Sequence, residues 1–276
     1  MDPGIATGDW LLLAGVLLAT GLATGLVSGL LGIGGGGIMV PVLFEVFRSI
    51  GVDPAICIHL AVGTSLSVII PTSLRSYLSH RAKGAVDGTL LRAMAVPVIL
   101  GVGLGVLLAR FSDDTLLKAV WAACGALMAA KLFFGRESWR LGAAIPGNPG
   151  RALYGTFVGL VSTLMSIGGG AFITAFMTLY GRPIHQAIAT ASGFGPIIAV
   201  PGALGFAWAG WHVAGLPPGS LGYVNLVGTA MIVPASVLAA PLGVRIAHGI
   251  SRRKLELAFA TFLTLVALRF FYSLLA

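Results

Sequence analysis

The segment Gly25–Gly36, Gly-Leu-Val-Ser-Gly-Leu-Leu-Gly-Ile-Gly-Gly-Gly, returns as Gly159–Gly170, Gly-Leu-Val-Ser-Thr-Leu-Met-Ser-Ile-Gly-Gly-Gly, with 9 of 12 positions identical. A duplicated motif this far apart divides the chain into two related halves. Each copy is an apolar run broken by glycines. Lipid offers the backbone no hydrogen-bond partners, so such irregular chain is tolerated at membrane depth only where protein encloses it or it lines a cavity. The repeat therefore predicts a paired site within a membrane.

Composition agrees. Of 276 residues, 57% are hydrophobic and only 9% charged, against about a quarter charged in ordinary soluble domains. The net charge of +8 does not indicate nucleic acid, because the cations gather in short loops between apolar spans, where they set membrane orientation. Cys57 and Cys124 stand alone among apolar neighbours, which predicts neither a disulfide framework nor a metal site. Asp2 and Asp9 replace the basic start of a secretory signal, so the first span is expected to remain in the mature protein.

The expected fold class is an all-α integral membrane protein of two inverted-topology repeats, each a glycine-broken helical hairpin followed by three transmembrane helices. Repeat 1 covers 9–134, with its hairpin at 10–47 and spans at 55–78, 88–109 and 115–134. A polar cytoplasmic linker at 135–150 follows. Repeat 2 covers 151–275, with its hairpin at 151–180 and spans at 183–208, 221–246 and 255–275. The second arm of hairpin 1, Ile38–Phe47, is too short for a full crossing, which takes about 20 residues. A second duplication fixes the alignment: Ile58–Thr64 (Ile-His-Leu-Ala-Val-Gly-Thr) matches Ile184–Thr190 (Ile-His-Gln-Ala-Ile-Ala-Thr).

Charge sets the orientation. Arg75, Arg81, Lys83 and Arg92 surround one loop, Lys131, Arg136, Arg140 and Arg151 the linker, and Arg245, Arg252, Arg253 and Lys254 a third; all three are expected on the cytoplasmic side. The uncharged loop 212–220 belongs outside. Hairpin 1 then opens outward, hairpin 2 opens inward and both termini are external. Inverted repeats whose broken helices meet near the midplane are a common construction of secondary transporters.

Where a helix starts, unpaired N–H groups and the helix dipole favour an anion, and glycine lets it approach. The candidate substrate-binding residues are therefore Gly34, Gly35, Gly36 and Gly37 with Gly168, Gly169 and Gly170. Ser28, Thr64, Ser65, Ser162, Ser166, Thr190 and Ser192 add hydroxyls, which donate to an oxyanion without carrying charge into lipid. The competing reading is structural: small residues let membrane helices touch, and hydroxyls bond their own helix. Gly32–Gly37 also fits GxGxxG, but no βαβ unit surrounds it and no P-loop lysine follows.

His59, His185 and Gln186 are candidates for coupling or gating, since histidine titrates near neutral pH; a proton is the coupling ion considered. No carboxylate sits mid-span to relay it. No catalytic residue, metal site or cofactor is predicted.

The glycine-broken repeats, with Ala61-Val62-Gly63-Thr64-Ser65 and its variant Ala187-Ile188-Ala189-Thr190-Ala191, resemble the TauE/SafE family of sulfite-exporter-like permeases over nearly the whole chain. The resemblance implies a permease for sulfite, an organosulfonate or sulfoacetate in a bacterial cytoplasmic membrane, with the glycine and hydroxyl positions as its binding site. Ala191 departs from Ser65. Two other readings stand beside the transporter: an anion channel of the same fold, and an intramembrane enzyme, for which neither a nucleophile with its base nor paired acids are evident.

Overall fold

The computed structural model describes residues 7–31, 36–135, 140–142, 144–246 and 252–275. They form α1 (Thr7–Leu31), α2 (Gly36–Ser49), α3 (Pro54–Ala82), α4 (Gly88–Phe111), α5 (Asp114–Phe134), α6 (Gly150–Met165), α7 (Gly170–Leu179), α8 (Ile184–Ala209), β1 (Ser220–Leu221), β2 (Val224–Asn225), α9 (Leu226–Ile246) and α10 (Arg252–Leu275). The chain is a nearly all-helical membrane protein: α3, α4, α5, α8 and Leu226–Gly243 of α9 are each long and apolar enough to cross a bilayer. At about 1.5 Å per residue, the 14, 16 and 10 residues of α2, α6 and α7 reach about 21, 24 and 15 Å, short of a hydrocarbon core of about 30 Å. The 25 residues of α1 reach about 37 Å, enough for a crossing.

Three aspartates between the apolar segments are helix caps. Asp53 accepts from Ala55 N, with Pro54 in the first turn of α3; Asp87 accepts from Thr89 N and Leu90 N; Asp113 accepts from Leu116 N. Each satisfies amides that the first helical turn leaves unpaired. One boundary moves. The span expected from 221 is helical only from Leu226, because Gly219 (φ +76) and Gly222 (φ +55) turn the chain into the β1–β2 hairpin. Asn225 then caps α9 through Oδ1, 2.7 Å from Gly228 N.

Packing follows a two-fold list: α1 lies on α9 and α6 on α4, α3 crosses α8, α5 crosses α10, and α2 rests on α3 as α7 rests on α8. Glycine contacts give the directions. Gly21 faces Ile232 and Ala235, Gly25 faces Ser236 and Ala239, and Gly243 faces Leu26, so α1 and α9 run parallel. Gly155 faces Met94 and Pro97, and Gly159 faces Val98 and Val102, so α4 and α6 also run parallel. In contrast, Gly63 meets Phe206, Gly202 meets Leu66 and Gly195 meets Ser73, which makes α3 and α8 antiparallel. α5 and α10 are antiparallel too, with Trp121 on Phe270 and Gly125 near Ala267. A Cβ on Gly21, Gly25, Gly159 or Gly243 would strike a neighbouring backbone carbonyl; these glycines let helices touch, as small residues do in membranes.

α3 and α8 form the enclosed centre, with Ile58, Leu66, Ile69, Phe194 and Phe206 all fully buried. The outer helices turn Val96, Leu100 and Leu104 (α4), Leu238 and Leu242 (α9), and Leu265 and Leu268 (α10) outward, as a lipid-facing surface requires. Arg253 of α10 donates to Leu132 O at 2.8 Å and Phe133 O at 2.6 Å, satisfying carbonyls at the end of α5.

Candidate functional site

The tip of the second hairpin reaches the first hairpin inside the protein. A Cβ on Gly36, at the start of α2, would collide with the Ser166 carbonyl at the end of α6. Ile69 of α3 spans the junction, its Cδ1 3.0 Å from the Cβ position of Gly36 and its Cγ2 3.3 Å from that of Gly168. Gly36, Gly37, Ser166, Gly168, Gly169 and Gly170 are all buried. Gly34 and Gly35 lie outside the described residues.

The backbone at this tip is unusual. α6 closes with Ile167 N on Ser162 O at 2.9 Å and Ser166 N on Thr163 O at 3.2 Å, the paired bonds of a glycine-type helix end. The residue in the left-handed conformation is nevertheless Ser166, at φ 50 and ψ 43. For a residue with a Cβ this costs about 1–2 kcal/mol; its counterpart in the first half is Gly32. Gly169 is also left-handed, at φ +72, and Ile173 N to Gly169 O is the first helical bond of α7. The amides of Gly170, Ala171 and Phe172 therefore start α7 without intrahelical partners.

Three serine hydroxyls close to this junction are enclosed and have no protein partner: Ser162 and Ser166 at the end of α6, and Ser65 of α3. Ser65 sits one turn before Ile69, on the same helix face. An enclosed polar atom left unpaired is costly and needs an explanation. Thr174 of α7 carries a fourth such hydroxyl; nothing in the repeat pointed to it. Charge is absent nearby along the chain. α3 holds no Asp, Glu, Lys or Arg between Asp53 and Arg75, and the second hairpin holds none between Arg151 and Arg182.

The other predicted hydroxyls have different surroundings. Thr64 Oγ1 accepts from Asn225 N at 2.9 Å, and Thr190 Oγ1 accepts from Asp87 N at 2.9 Å. Ser192 donates to Ala189 O of its own helix at 2.6 Å. Ser28 is buried in α1, three residues past Gly25. The histidines diverge: His59 is buried, stacked on Tyr223 with Nε2 3.1 Å from Ala109 O, whereas His185 is exposed and Gln186 half-buried. Among the described residues, no group of three or more His, Cys, Asp or Glu is assembled for a metal.

Sequence reasoning missed Asn225. It is one of two asparagines in the chain and lies inside an expected span, where a polar amide usually bonds across helices. That was the available signal.

Meeting hairpins, lipid-facing flanks and an uncharged polar centre define a polytopic helical membrane protein with an enclosed polar junction. The chain belongs to the sulfite exporter TauE/SafE family, whose model matches residues 17–270; it is a membrane transport protein. A probable membrane transporter protein of Haemophilus influenzae is 28% identical over 243 residues, covering 88% of this chain and 92% of that one. One from Methanocaldococcus jannaschii is 25% identical over 270 residues, covering 94% and 96%. No solved structure matches the chain.

Proposed function

We propose that the protein is a secondary transporter for a small sulfur-containing anion such as sulfite, an organosulfonate or sulfoacetate. The anion is held where the tip of the second hairpin meets the start of α2 and is moved by alternating access. The observation that carries this reading is the set of enclosed, unpartnered hydroxyls of Ser65, Ser162 and Ser166 beside the free amides that start α7. Donors that point at nothing in the protein fit a ligand with several acceptor oxygens. Amide and hydroxyl donors also cost less to bury than an unpaired cation. Gly34–Gly37 and Gly168–Gly170 supply the close approach, with Ser28 as the counterpart of Ser162.

The same geometry supports a reading of two inverted repeats, 9–134 and 151–275. Corresponding helices α3 and α8 run antiparallel while α1 parallels α9 and α4 parallels α6, as an axis in the membrane plane requires. The basic ends of α3, α5 and α9 then lie together on the cytoplasmic side of a bacterial inner membrane, with both termini outside. His59, at the junction of α3, α4 and Tyr223, is the better placed of the two histidines for proton coupling.

Counterflow in proteoliposomes tests the reading. Internal unlabelled sulfite should accelerate uptake of labelled sulfite through an alternating site. Uptake insensitive to internal anion would indicate a channel, and no anion movement at all would remove the transporter reading.

A further inference from the structure

The hydrogen bonds of Thr64 and Thr190 are equivalent in position and length but not in surroundings. Each joins a central helix of one half to the residue that caps the fourth helix of the other: Thr64 of α3 to Asn225 before α9, and Thr190 of α8 to Asp87 before α4. The first lies toward the β1–β2 hairpin, the second toward the basic loop of Arg81 and Lys83. They are the same bond toward opposite ends of the antiparallel α3–α8 pair.

Their neighbours differ. Three residues after Thr64 stands Ser67, and four after Asn225 stands Thr229; the two hydroxyls are 2.5 Å apart. Ser67 also faces Thr64 O at 2.6 Å and Thr229 faces Asn225 O at 2.9 Å. With one proton each, one hydroxyl donates to its carbonyl and the other to its neighbour. Three residues after Thr190 stands Gly193, and four after Asp87 stands Leu91. There the contact is apolar: a Cβ on Gly193 would meet Leu91 Cδ1 and Cδ2 at 3.0 Å. Asn225 is fixed further, Nδ2 donating to Pro218 O at 3.1 Å and Ser220 Oγ at 3.0 Å, and it is buried where Asp87 is half-buried.

We infer that these bonds are the two latches of the transport cycle, and that the Thr190–Asp87 latch, on the side of the basic loops, opens first in the empty protein. The inference rests on the alternating-access reading. Opening a side means parting α4 from α8 or α9 from α3, and only the second parting breaks a hydroxyl pair as well as the shared threonine bond. One additional hydrogen bond at the closed side shifts such an equilibrium by about fivefold.

Amide hydrogen exchange on the purified, anion-free protein tests the order, read over residues 87–91 and 225–229. The expected result is exchange about fivefold faster at 87–91. Gly193→Ser combined with Leu91→Thr should install the missing hydroxyl pair and bring that exchange down to the rate at 225–229. Ser67→Ala, a milder change that deletes the natural pair, should raise exchange at 225–229 alone. Faster exchange at 225–229 in the unaltered protein would overturn the inference, as would an unchanged order in both variants. A failed counterflow assay would remove alternating access while leaving the exchange order readable, so the two failures are distinguishable.

Discussion

Thr64 and Thr190 sit at the same point of the duplicated Ile-His motif and make the same contact, each oxygen accepting from the backbone N–H of a helix-cap residue in the opposite half. The halves are thus bonded through a reciprocal pair. Replacing Thr64 with Val keeps the shape but leaves the buried Asn225 N–H without its acceptor, a loss of about 1–3 kcal/mol. Thr190→Val should cost less, because Asp87 is only half-buried and water can replace the lost bond. Serine at either position should be close to neutral. Thermal unfolding in detergent reads all three, and equal losses for the two valine variants would mean that burial does not set the difference.

Glycines in this chain divide into those that seat a neighbouring helix and those that face open space. Gly25→Val and Gly159→Val should each abolish folded protein, since their Cβ positions fall on the Ser236 and Val98 carbonyls and no side-chain movement relieves a backbone clash. Gly103 has nothing near its Cβ position, so Gly103→Ala should stabilise α4 by up to about 1 kcal/mol through helix propensity. Size-exclusion profiles and melting temperatures separate the outcomes. A well-folded Gly159→Val protein would contradict the α4–α6 packing.

The proposed inverted arrangement makes a prediction about sidedness. Ser49 follows hairpin 1 and Arg182 follows hairpin 2, and both are exposed. Single cysteines there should react with an impermeant thiol reagent from opposite sides, Ser49→Cys in intact cells and Arg182→Cys only after permeabilisation. Labelling of both from one side would exclude repeats that are upside down relative to each other.

The duplicated glycine motif and the charge pattern made the membrane class and most helices legible, because both are dictated by hydrophobic length and by the lack of hydrogen-bond partners in lipid. The site was legible only in part. Repetition marks Thr64 and Thr190 as strongly as Ser162, yet an internal match cannot distinguish a hydroxyl occupied by a distant amide from one left free. The bonds to Asn225 and Asp87 cross between halves, and no local period encodes them. The two-residue strands before α9 escaped for a related reason: Gly219 falls in the expected outer loop and Gly222 inside the expected span, while the positive φ values that turn the chain appear only in the fold.

Ser65, Ser162 and Ser166 allow stability and binding to be read apart. A structural hydroxyl supports the fold, so its removal lowers the melting temperature; an enclosed hydroxyl without a partner does the reverse, because deleting it removes an unpaired polar group. Ser65→Ala and Ser162→Ala should therefore leave stability unchanged or slightly higher while weakening sulfite binding by about 1 kcal/mol each, near fivefold. Ser166→Gly should go further in both directions. Glycine takes the left-handed conformation without the Cβ penalty, a gain of about 1 kcal/mol, and the hydroxyl is lost from the tip. Calorimetric titration with sulfite and thermal unfolding of the same samples measure the two quantities. Lower stability with unchanged affinity in all three variants would make these serines part of the scaffold and place the anion elsewhere.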